Sequence, residues 1–235
     1  MKLRRTLFAV VLLLAAAALQ AQAQTLADAE SSSGTVAVAP PAHLYLTYTR
    51  PTKKVKLRNY LFDAFGPYPI DAAVIVGGFD QATKTPPEWR QGAAGYGERF
   101  GSAFAVGAVT TTTRYTLAQA FHEDTLYYRC ECKGVSPRIK HALISSFTGR
   151  RGADGHRAFS FAAVVAPYVG TTTAVYGWYP DRYDAKDAFR MGSYGLLEYA
   201  ASNLAIEFLY SGPHSWLSHA HLNNRHGAPD SDPTP

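Results

Sequence analysis

Hydrophobic and polar positions divide the chain into five apolar blocks separated by turn-forming residues. The two blocks within residues 60–121 are rich in Ala, Gly and aromatic side chains, with charged residues several positions apart. Stretches such as AAVIVGG and LAQAF do not alternate, and alanine is disfavoured in strands. Residues 59–212 are therefore predicted to form a mainly α domain, a bundle of four or five Ala/Gly-rich helices.

The segments on either side of this domain have a different composition. Residues 24–58 combine Ser, Gly and Pro with one alternating stretch, HLYLTYTR at His43–Arg50, and are predicted to form a flexible or extended N-terminal arm. Residues 213–235 are polar and contain proline, which predicts a disordered tail. The alternating stretch and the high Tyr, Thr and Gly content leave an outer-membrane β-barrel as the alternative fold.

Small residues recur at helical spacing in the second block. Gly97 and Gly101 stand four residues apart, as do Ala103 and Gly107. On a helix such residues share a face and allow another helix to approach closely. We therefore expect a helix contact at Gly97, Gly101 and Gly107, and we expect Gly101→Leu to disrupt it.

Two tryptophans flank apolar blocks, and each is predicted to be an aromatic anchor at a helix end. Trp89 follows Thr85 and two prolines, a pattern typical of a helix start with Thr85 as the cap. Trp178 closes the fourth block, Ala158–Pro180, in which no side chain is charged. That block is long enough to span a bilayer if it is helical, although Pro167 would kink it.

The first residues have the three parts of a secretory signal peptide. Lys2, Arg4 and Arg5 precede the apolar run Leu7–Leu19, and Ala21-Gln22-Ala23 is a small-x-small cleavage site. Residues 1–23 are thus predicted to direct export, to the periplasm or to a membrane of the cell envelope. Three of the 23 basic side chains and none of the 18 acidic ones lie in this segment, so the remainder has a net charge of +2. The charge gives no support for a nucleic-acid partner.

A basic cluster, KKVKLR at Lys53–Arg58, precedes the first apolar block. It is either a solvated flank or a contact with anionic lipid headgroups, where each charge adds on the order of 1 kcal/mol. Together with the uncharged fourth block, this favours a membrane lipid or an envelope protein as the partner.

Candidate metal ligands lie in the segment Ala120–Gly134, AFHEDTLYYRCECKG. His122 and the two carboxylates after it are consecutive, so in a helix they point about 100° apart and do not converge on one ion. Cys130 and Cys132 are two residues apart. A strained disulfide, reduced thiols, a metal site and an intermolecular bridge all remain open for them.

Histidines near the C-terminal end of the sequence would complete such a metal site. His219 and His221 form an H-x-H pair, with His214 and His226 nearby. With His122, Cys130 and Cys132 they would supply soft ligands for copper or zinc. A polar tail that contains histidine without binding metal is the competing interpretation, and no other cofactor is predicted.

Catalytic templates give little support for an enzyme. The sequence has no G-x-S-x-G elbow and no phosphate-binding glycine loop. The stretch DGHRAFS, Asp154–Ser160, places an Asp, a His and a Ser close together, which makes a lipid- or phosphoester-directed hydrolase around His156 the third functional hypothesis. A structural or binding role is favoured over a catalytic one.

One longer motif resembles a known group. PPEWRQGAAGYGERFGS, residues 86–102, and the later WYP, residues 178–180, are similar to a group of uncharacterised exported bacterial proteins with a P-x-EW-x-QG-x-x-GYG-x-R-x-G segment. The resemblance extends over residues 60–210 and implies that they form one unit, but it implies no activity. The sequence thus predicts an exported, membrane-associated structural or binding module of the cell envelope, with an envelope metal-binding protein as the alternative.

Overall fold

The computed structural model describes residues 48–130, 132–209 and 226–229. The predicted signal peptide, most of the predicted arm, and the histidines at 214, 219 and 221 lie outside these ranges. Within them the protein is mainly α, which confirms the predicted fold class.

Six helices account for most of the described residues. They are α1 Lys53–Phe65, α2 Pro67–Thr83, α3 Gly92–Ala120, α4 Val135–Ser145, α5 Phe161–Gly177 and α6 Ala185–Leu209. Five short strands lie between or after them: β1 Glu123–Asp124, β2 Tyr128–Arg129, β3 Thr148–Arg151, β4 His156–Phe159 and β5 Ala228–Pro229. β1, β3 and β4 form an antiparallel sheet, while β2 and β5 pair in parallel.

Two element boundaries differ from the predicted ones. The basic cluster Lys53–Arg58, predicted to belong to the arm, opens α1, because Thr52 caps the helix and Lys, Leu and Arg are good helix formers. The side chain of Thr52 accepts a hydrogen bond from the amide of Val55 at 3.4 Å. The helix start predicted at Thr85 is wrong: residues 84–91 form an irregular loop, and α3 begins at Gly92.

The extensive interhelical contacts run in series, from α2 to α3, from α3 to α5 and from α5 to α6. The side chains buried at these contacts are mostly small. They include Ala73 in α2, Ala118 in α3, Ala162, Ala163, Ala166 and Ala174 in α5, and Ala188 and Ala200 in α6. Small residues allow the helix axes to approach closely, so dispersion between backbones contributes strongly to the packing.

The glycines at these contacts are not the predicted ones. A Cβ added at Gly77 would lie 3.0 Å from the backbone nitrogen of Phe100 on α3, and one added at Gly170 would lie 3.1 Å from the carbonyl oxygen of Val106. A Cβ added at Gly97, Gly101 or Gly107 would meet nothing within 4 Å. The predicted helix contact at these three residues is therefore wrong.

The reason is the rotation of α3 about its axis. In its N-terminal half the buried residues are Gly95, Arg99 and Ser102, which share one face. Gly97 and Gly101 lie outside that stripe and are exposed. A spacing of four identifies residues that share a face, but it does not determine whether that face is the packed one.

Paired leucine substitutions test this assignment of the helix contacts. Gly170→Leu is expected to lower the free energy of unfolding by about 1–3 kcal/mol, because the added side chain would collide with α3. Gly101→Leu is expected to change it by less than about 0.5 kcal/mol, since the added atoms enter solvent. Urea denaturation followed by circular dichroism measures both. Equal losses for the two variants would contradict the assignment.

Large apolar side chains lie on the outside of the helices, in contrast to the small residues within. Those most exposed are Ile75 at 70%, Phe79 at 68%, Leu197 at 67%, Phe189 at 66% and Val135 at 64%. The uncharged block Ala158–Pro180 contains the end of β4 and all of α5, whose buried residues face α3 and α6. Among the described helices, none combines the length and the apolar character needed to cross a bilayer.

Candidate functional site

Buried polar side chains concentrate near the two ends of α3. The first group, which we call the Arg99 cluster, consists of Arg99 and the loop 84–91 before α3. The second, the polar end, consists of the connector 121–134, the β3–β4 hairpin, residues 226–229 and the side chains that contact them. About 30 Å of helix separates the two groups at a rise of 1.5 Å per residue.

Arg99 is fully buried, and oxygen atoms of the chain surround its guanidinium group. It donates six hydrogen bonds of 2.7–3.1 Å. The acceptors are the side-chain oxygen of Gln81 and the backbone oxygens of Thr85, Pro86, Trp89, Arg90 and Gly95. Because every N–H of the guanidinium group finds an acceptor, the loop 84–91 is tied to the first turns of α3.

Residues of the segment 86–102 and of WYP, residues 178–180, meet at this cluster. A Cβ at Gly95 would lie 1.4 Å from the carbonyl oxygen of Arg90, so only glycine fits there. The ring of Trp89 lies 5.1 Å from that of Tyr179, and the indole N–H of Trp178 donates to the hydroxyl of Ser102 at 2.8 Å. Trp178 caps the end of α5, as predicted for an anchor, whereas Trp89 lies within the loop. The motif therefore encodes a packed corner of the bundle.

At the polar end, Asp124 accepts hydrogen bonds from two phenols. The hydroxyl of Tyr48 lies 3.0 Å and that of Tyr128 2.7 Å from the same carboxylate oxygen, Oδ2. The guanidinium carbon of Arg150 lies 5.2 Å from the centre of each ring. Burial, together with the charge of Asp124, raises the pKa of both phenols well above the ordinary value of 10.0. Both therefore stay protonated and act as hydrogen-bond donors.

Glu123, only 2% exposed, links three elements of the polar end. Its carboxylate accepts hydrogen bonds from Arg151 on β3 at 2.5 Å and from the hydroxyl of Ser160 at 2.7 Å. Ser160 in turn accepts a hydrogen bond from the amide of Ala163 and caps α5. This serine is thus engaged in capping a helix.

A buried carboxylate–imidazole pair joins the most distant parts of the chain. Nε2 of His226 lies 3.0 Å from Oδ2 of Asp63 on α1, and Nδ1 lies 3.2 Å from the amide nitrogen of Tyr127. The amide can only donate, so Nδ1 accepts and the proton lies on Nε2. The hydroxyl of Tyr115 also donates to Oδ2 of Asp63, at 2.5 Å. Both imidazole nitrogens are therefore occupied.

The contacts of Asp63 predict a pH dependence of stability. Burial opposes its ionisation, but the hydrogen bonds donated by His226 and Tyr115, together with the charge of Arg114, hold its pKa below the ordinary 3.8. With a folded-state pKa lower than the unfolded one, ionised Asp63 stabilises the fold above about pH 4, and this contribution is lost as the pH falls through the folded-state pKa. Asp63→Asn should therefore destabilise the protein at pH 7, by an amount that shrinks at acidic pH.

Urea denaturation at several pH values between about 7 and 2 checks this, with Asp71→Asn on the exposed side of α2 as the matched control. The control should change stability little throughout. An Asp63→Asn effect that stays constant down to the lowest pH would show that the carboxylate does not carry the dependence.

Glu207, at the end of α6, is fully buried. Its Oε2 accepts hydrogen bonds from the hydroxyl of Tyr127 at 2.6 Å and from the amide of Cys130 at 3.0 Å. Its Oε1 pairs with Nε of Arg138 on α4 at 2.8 Å, and a second nitrogen of Arg138 donates to its backbone oxygen. This one carboxylate thus joins α6, α4 and the connector.

Cys130 and Cys132 form a disulfide bond. As a disulfide the two sulfurs are not thiolates, so the metal-ligand role predicted for them is not realised in this state. His122 lies at the turn after α3 with φ 58°, and its backbone oxygen accepts a bond from Gly152. Within the described ranges, no three His, Cys, Asp or Glu side chains are grouped to hold an ion. The other two predicted ligands, His219 and His221, lie outside these ranges.

The hydrolase hypothesis depended on Asp154, His156 and Ser160. Nδ1 of His156 lies 2.9 Å from Oδ1 of Asp154, and both side chains are exposed at 56% and 72%. Ser160 is buried and donates to Glu123, so its hydroxyl hydrogen is directed away from the imidazole. The three residues do not form a serine–histidine–aspartate relay.

A small, partly open cavity of about 30 Å³ lies at the polar end. Its lining is mostly polar and includes Arg114, Asp124, Tyr128, Arg150, Arg157 and Tyr199. A volume of this size accommodates one or two water molecules and is far below the several hundred Å³ of a typical ligand pocket. The cavity therefore fits water, not an organic substrate.

Comparison with known proteins finds no match to this chain. It matches no protein family, no curated protein and no solved structure. Only the residues of this chain therefore bear on its function.

The sequence patterns did not reveal the charged residues that organise both clusters: Asp63, Arg99, Arg150 and Glu207. A usable signal was present for Glu207, because it is an isolated charge in a run of small or apolar residues. Such a residue, when it lies on the packed side of a helix, needs several buried partners.

Proposed function

We propose that this chain is a cell-envelope protein that binds a membrane surface through the outward side of α1 and α2. The observation that supports this proposal most strongly is the exposure of large apolar side chains on α2. We call the residues involved the α1–α2 surface: Leu61, Phe65, Ile70, Val74, Ile75 and Phe79, with exposed fractions from 43% to 70%.

The apolar side chains of α2 form two rows. Ile75 and Phe79, four residues apart, lie on the side of the helix opposite Gly77, where α2 is packed on α3. Ile70 and Val74 form a second row about 140° around the helix, next to the packed side, and Asp71 lies between the two rows. Asp71 is the one exposed charged residue among the described residues of α2. An apolar side of this kind favours an apolar environment over water.

Charge on the neighbouring helix complements an anionic lipid surface. Lys53, Lys54 and Arg58 are exposed on α1. On the same helix Arg58, Leu61 and Phe65 follow one another at spacings of three and four, so a basic and an apolar region adjoin along one side. Basic side chains beside a shallowly inserted apolar patch are typical of proteins that bind at the membrane interface.

The expected affinity is moderate. Burying the exposed parts of Ile75 and Phe79 would contribute about 1.5 kcal/mol each, and three basic residues about 1 kcal/mol each. A total of about 6 kcal/mol corresponds to a dissociation constant on the order of tens of micromolar. Removing the two apolar side chains should weaken binding by roughly a hundredfold.

A vesicle co-sedimentation experiment tests the proposal on the full chain. The double variant Ile75→Ser/Phe79→Ser should lose binding to vesicles of phosphatidylcholine and phosphatidylglycerol. Phe189→Ser/Leu197→Ser on α6 is the matched control, because those side chains are equally exposed but lie on another helix. Residues 1–23 are common to both variants, so the difference reports on α2 alone.

The headgroup contact has its own test. Replacing Lys53, Lys54 and Arg58 by Gln should weaken binding to anionic vesicles and reduce its salt dependence. The same substitutions at Lys133, Lys140 and Lys186, which are exposed elsewhere, should leave it nearly unchanged.

Two results would overturn the proposal. One is equal vesicle binding by the α2 and α6 double variants. The other is a wild-type chain that elutes as a dimer and an Ile75→Ser/Phe79→Ser chain that elutes as a monomer, neither binding vesicles. That second result would identify the α1–α2 surface as a contact between two copies of the chain.

A further inference from the structure

The disulfide between Cys130 and Cys132 lies in the connector between β2 and α4. The two residues differ in exposure: Cys130 is only 5% exposed, whereas Cys132 is partly exposed. The next residue, Lys133, is exposed as well. A thiol approaching from solvent therefore reaches the sulfur of Cys132 first.

The buried sulfur is placed to leave as a thiolate. The amide of Cys132 donates a hydrogen bond to the sulfur of Cys130 at 3.2 Å. The amide of Cys130 is itself held by Glu207 Oε2 at 3.0 Å, which fixes the backbone beside the bond. A backbone N–H directed at the sulfur stabilises the thiolate over the thiol, and a stabilised leaving group accelerates exchange.

A purely structural role accounts poorly for this bond. One residue separates the two cysteines, so the bond closes a very short loop and removes little entropy from the unfolded chain. The connector is already held by other contacts, since Glu207 binds the side chains of Tyr127 and Arg138 and His226 binds the amide of Tyr127. These contacts hold the connector in addition to the bond.

We propose that Cys130 and Cys132 form a thiol–disulfide exchange site that acts on the thiols of peptides or proteins. In the first step a substrate thiolate attacks the sulfur of Cys132 and forms a mixed disulfide, while the bond between the two cysteines breaks and Cys130 leaves as a thiolate. In the second step a second thiolate of the substrate attacks the substrate sulfur of the mixed disulfide. A disulfide forms within the substrate, and Cys132 leaves as a thiolate. The substrate gains a disulfide, and the Cys130–Cys132 pair takes up the two electrons.

The residues that follow Cys132 are open to solvent. Val135 is 64% exposed, and Pro137 on the first turn of α4 is exposed as well. The positive charge of Lys133 attracts a thiolate. This site is separate from the α1–α2 surface, and its test does not depend on membrane binding.

Equilibration of the folded full chain with glutathione tests the proposal directly. After acid quenching and alkylation, mass spectrometry counts the reduced cysteines at each ratio of reduced to oxidised glutathione. Half-reduction is expected at a value of [GSH]²/[GSSG] below about 1 M, whereas structural disulfides require roughly 100 M or more. Half-reduction only above about 1 M, or only after denaturant is added, would overturn the proposal.

Single-cysteine variants test the assigned roles of the two sulfurs. In Cys130→Ser the free thiol of Cys132 should react with oxidised glutathione at least about tenfold faster than the free thiol of Cys130 does in Cys132→Ser. Equal or reversed rates would overturn the assignment. The wild-type equilibration needs no substitution, so it decides the main question even if a variant folds poorly.

Lys133→Gln, with Lys140→Gln on α4 as the matched control, tests the contribution of charge. Glutathione is anionic, so the exchange rate of the wild-type bond at low salt should fall about two- to threefold in the first variant and stay unchanged in the second. Equal rates in both variants would show that the charge of Lys133 does not contribute to the exchange.

Discussion

Replacing Arg99 with methionine is expected to lower the free energy of unfolding by about 4 kcal/mol. The guanidinium group supplies hydrogens to six oxygens, five of them on the backbone of residues 85–95. Methionine fills most of the volume but donates none, so six hydrogen bonds would be lost, at about 1 kcal/mol each. The removed desolvation cost of the charge offsets part of this loss.

Thermal unfolding followed by circular dichroism measures the effect, and a domain of this size loses about 2–4 °C per kcal/mol. A drop of about 10 °C is therefore expected. Arg90→Met is the matched control, because Arg90 is exposed and contributes to the cluster only its backbone oxygen. If the Arg99 variant unfolds at the same temperature as this control, the loop 84–91 is held by other contacts.

Replacing Glu207 with glutamine is expected to cost about 3 kcal/mol, the second largest effect. Its two carboxylate oxygens accept hydrogen bonds from Tyr127, Cys130 and Arg138, all of which are donors. A glutamine amide offers one oxygen and one NH₂ group, so at least one donor would face another donor. The ion pair with Arg138 would also be lost, and the guanidinium group would remain only partly hydrated.

Urea denaturation measures this loss, and Glu98→Gln, an exposed carboxylate on α3, is the matched control. Burial, the hydrogen bond to Glu207 and its charge raise the pKa of Tyr127 above the ordinary value of 10.0. In the variant that pKa should fall toward the value set by burial alone, which ultraviolet titration can follow. A variant as stable as the control would show that the carboxylate of Glu207 does not stabilise the contact between α6 and the connector.

The sequence patterns predicted the helical class because helix formation is largely local. Ala-rich blocks, the cap at Thr52 and the proline near the start of α2 act within a few residues. The extent of α1 was missed because a basic run was interpreted by its charge, although Lys, Leu and Arg all favour helix. The start of α3 was misplaced because the loop 84–91 is held by Arg99, farther along the chain.

Local sequence patterns could not predict the polar clusters, because the contacts within them join residues far apart in the chain. Oδ2 of Asp63 binds His226 from 163 residues away, and Glu207 binds Tyr127 across 80 residues. Such pairs depend on the rotation of each helix about its axis and on the packing order of the helices. A one-dimensional spacing contains neither, so the glycines at 97, 101 and 107 were assigned to a packed face that the helix directs to solvent.

The pairing of Asp63 with His226 also determines the order in which the fold can be completed. The helices of the series α2, α3, α5 and α6 contact near neighbours in the chain, so they can pack as soon as they emerge. Asp63 and the amide of Tyr127 must wait for an imidazole that is synthesised 163 residues after Asp63. Until then the carboxylate lacks one of its two donors and the amide lacks its acceptor. A nascent chain would thus stay loose at this end, and accessible to proteases and chaperones, after the rest of the bundle has formed.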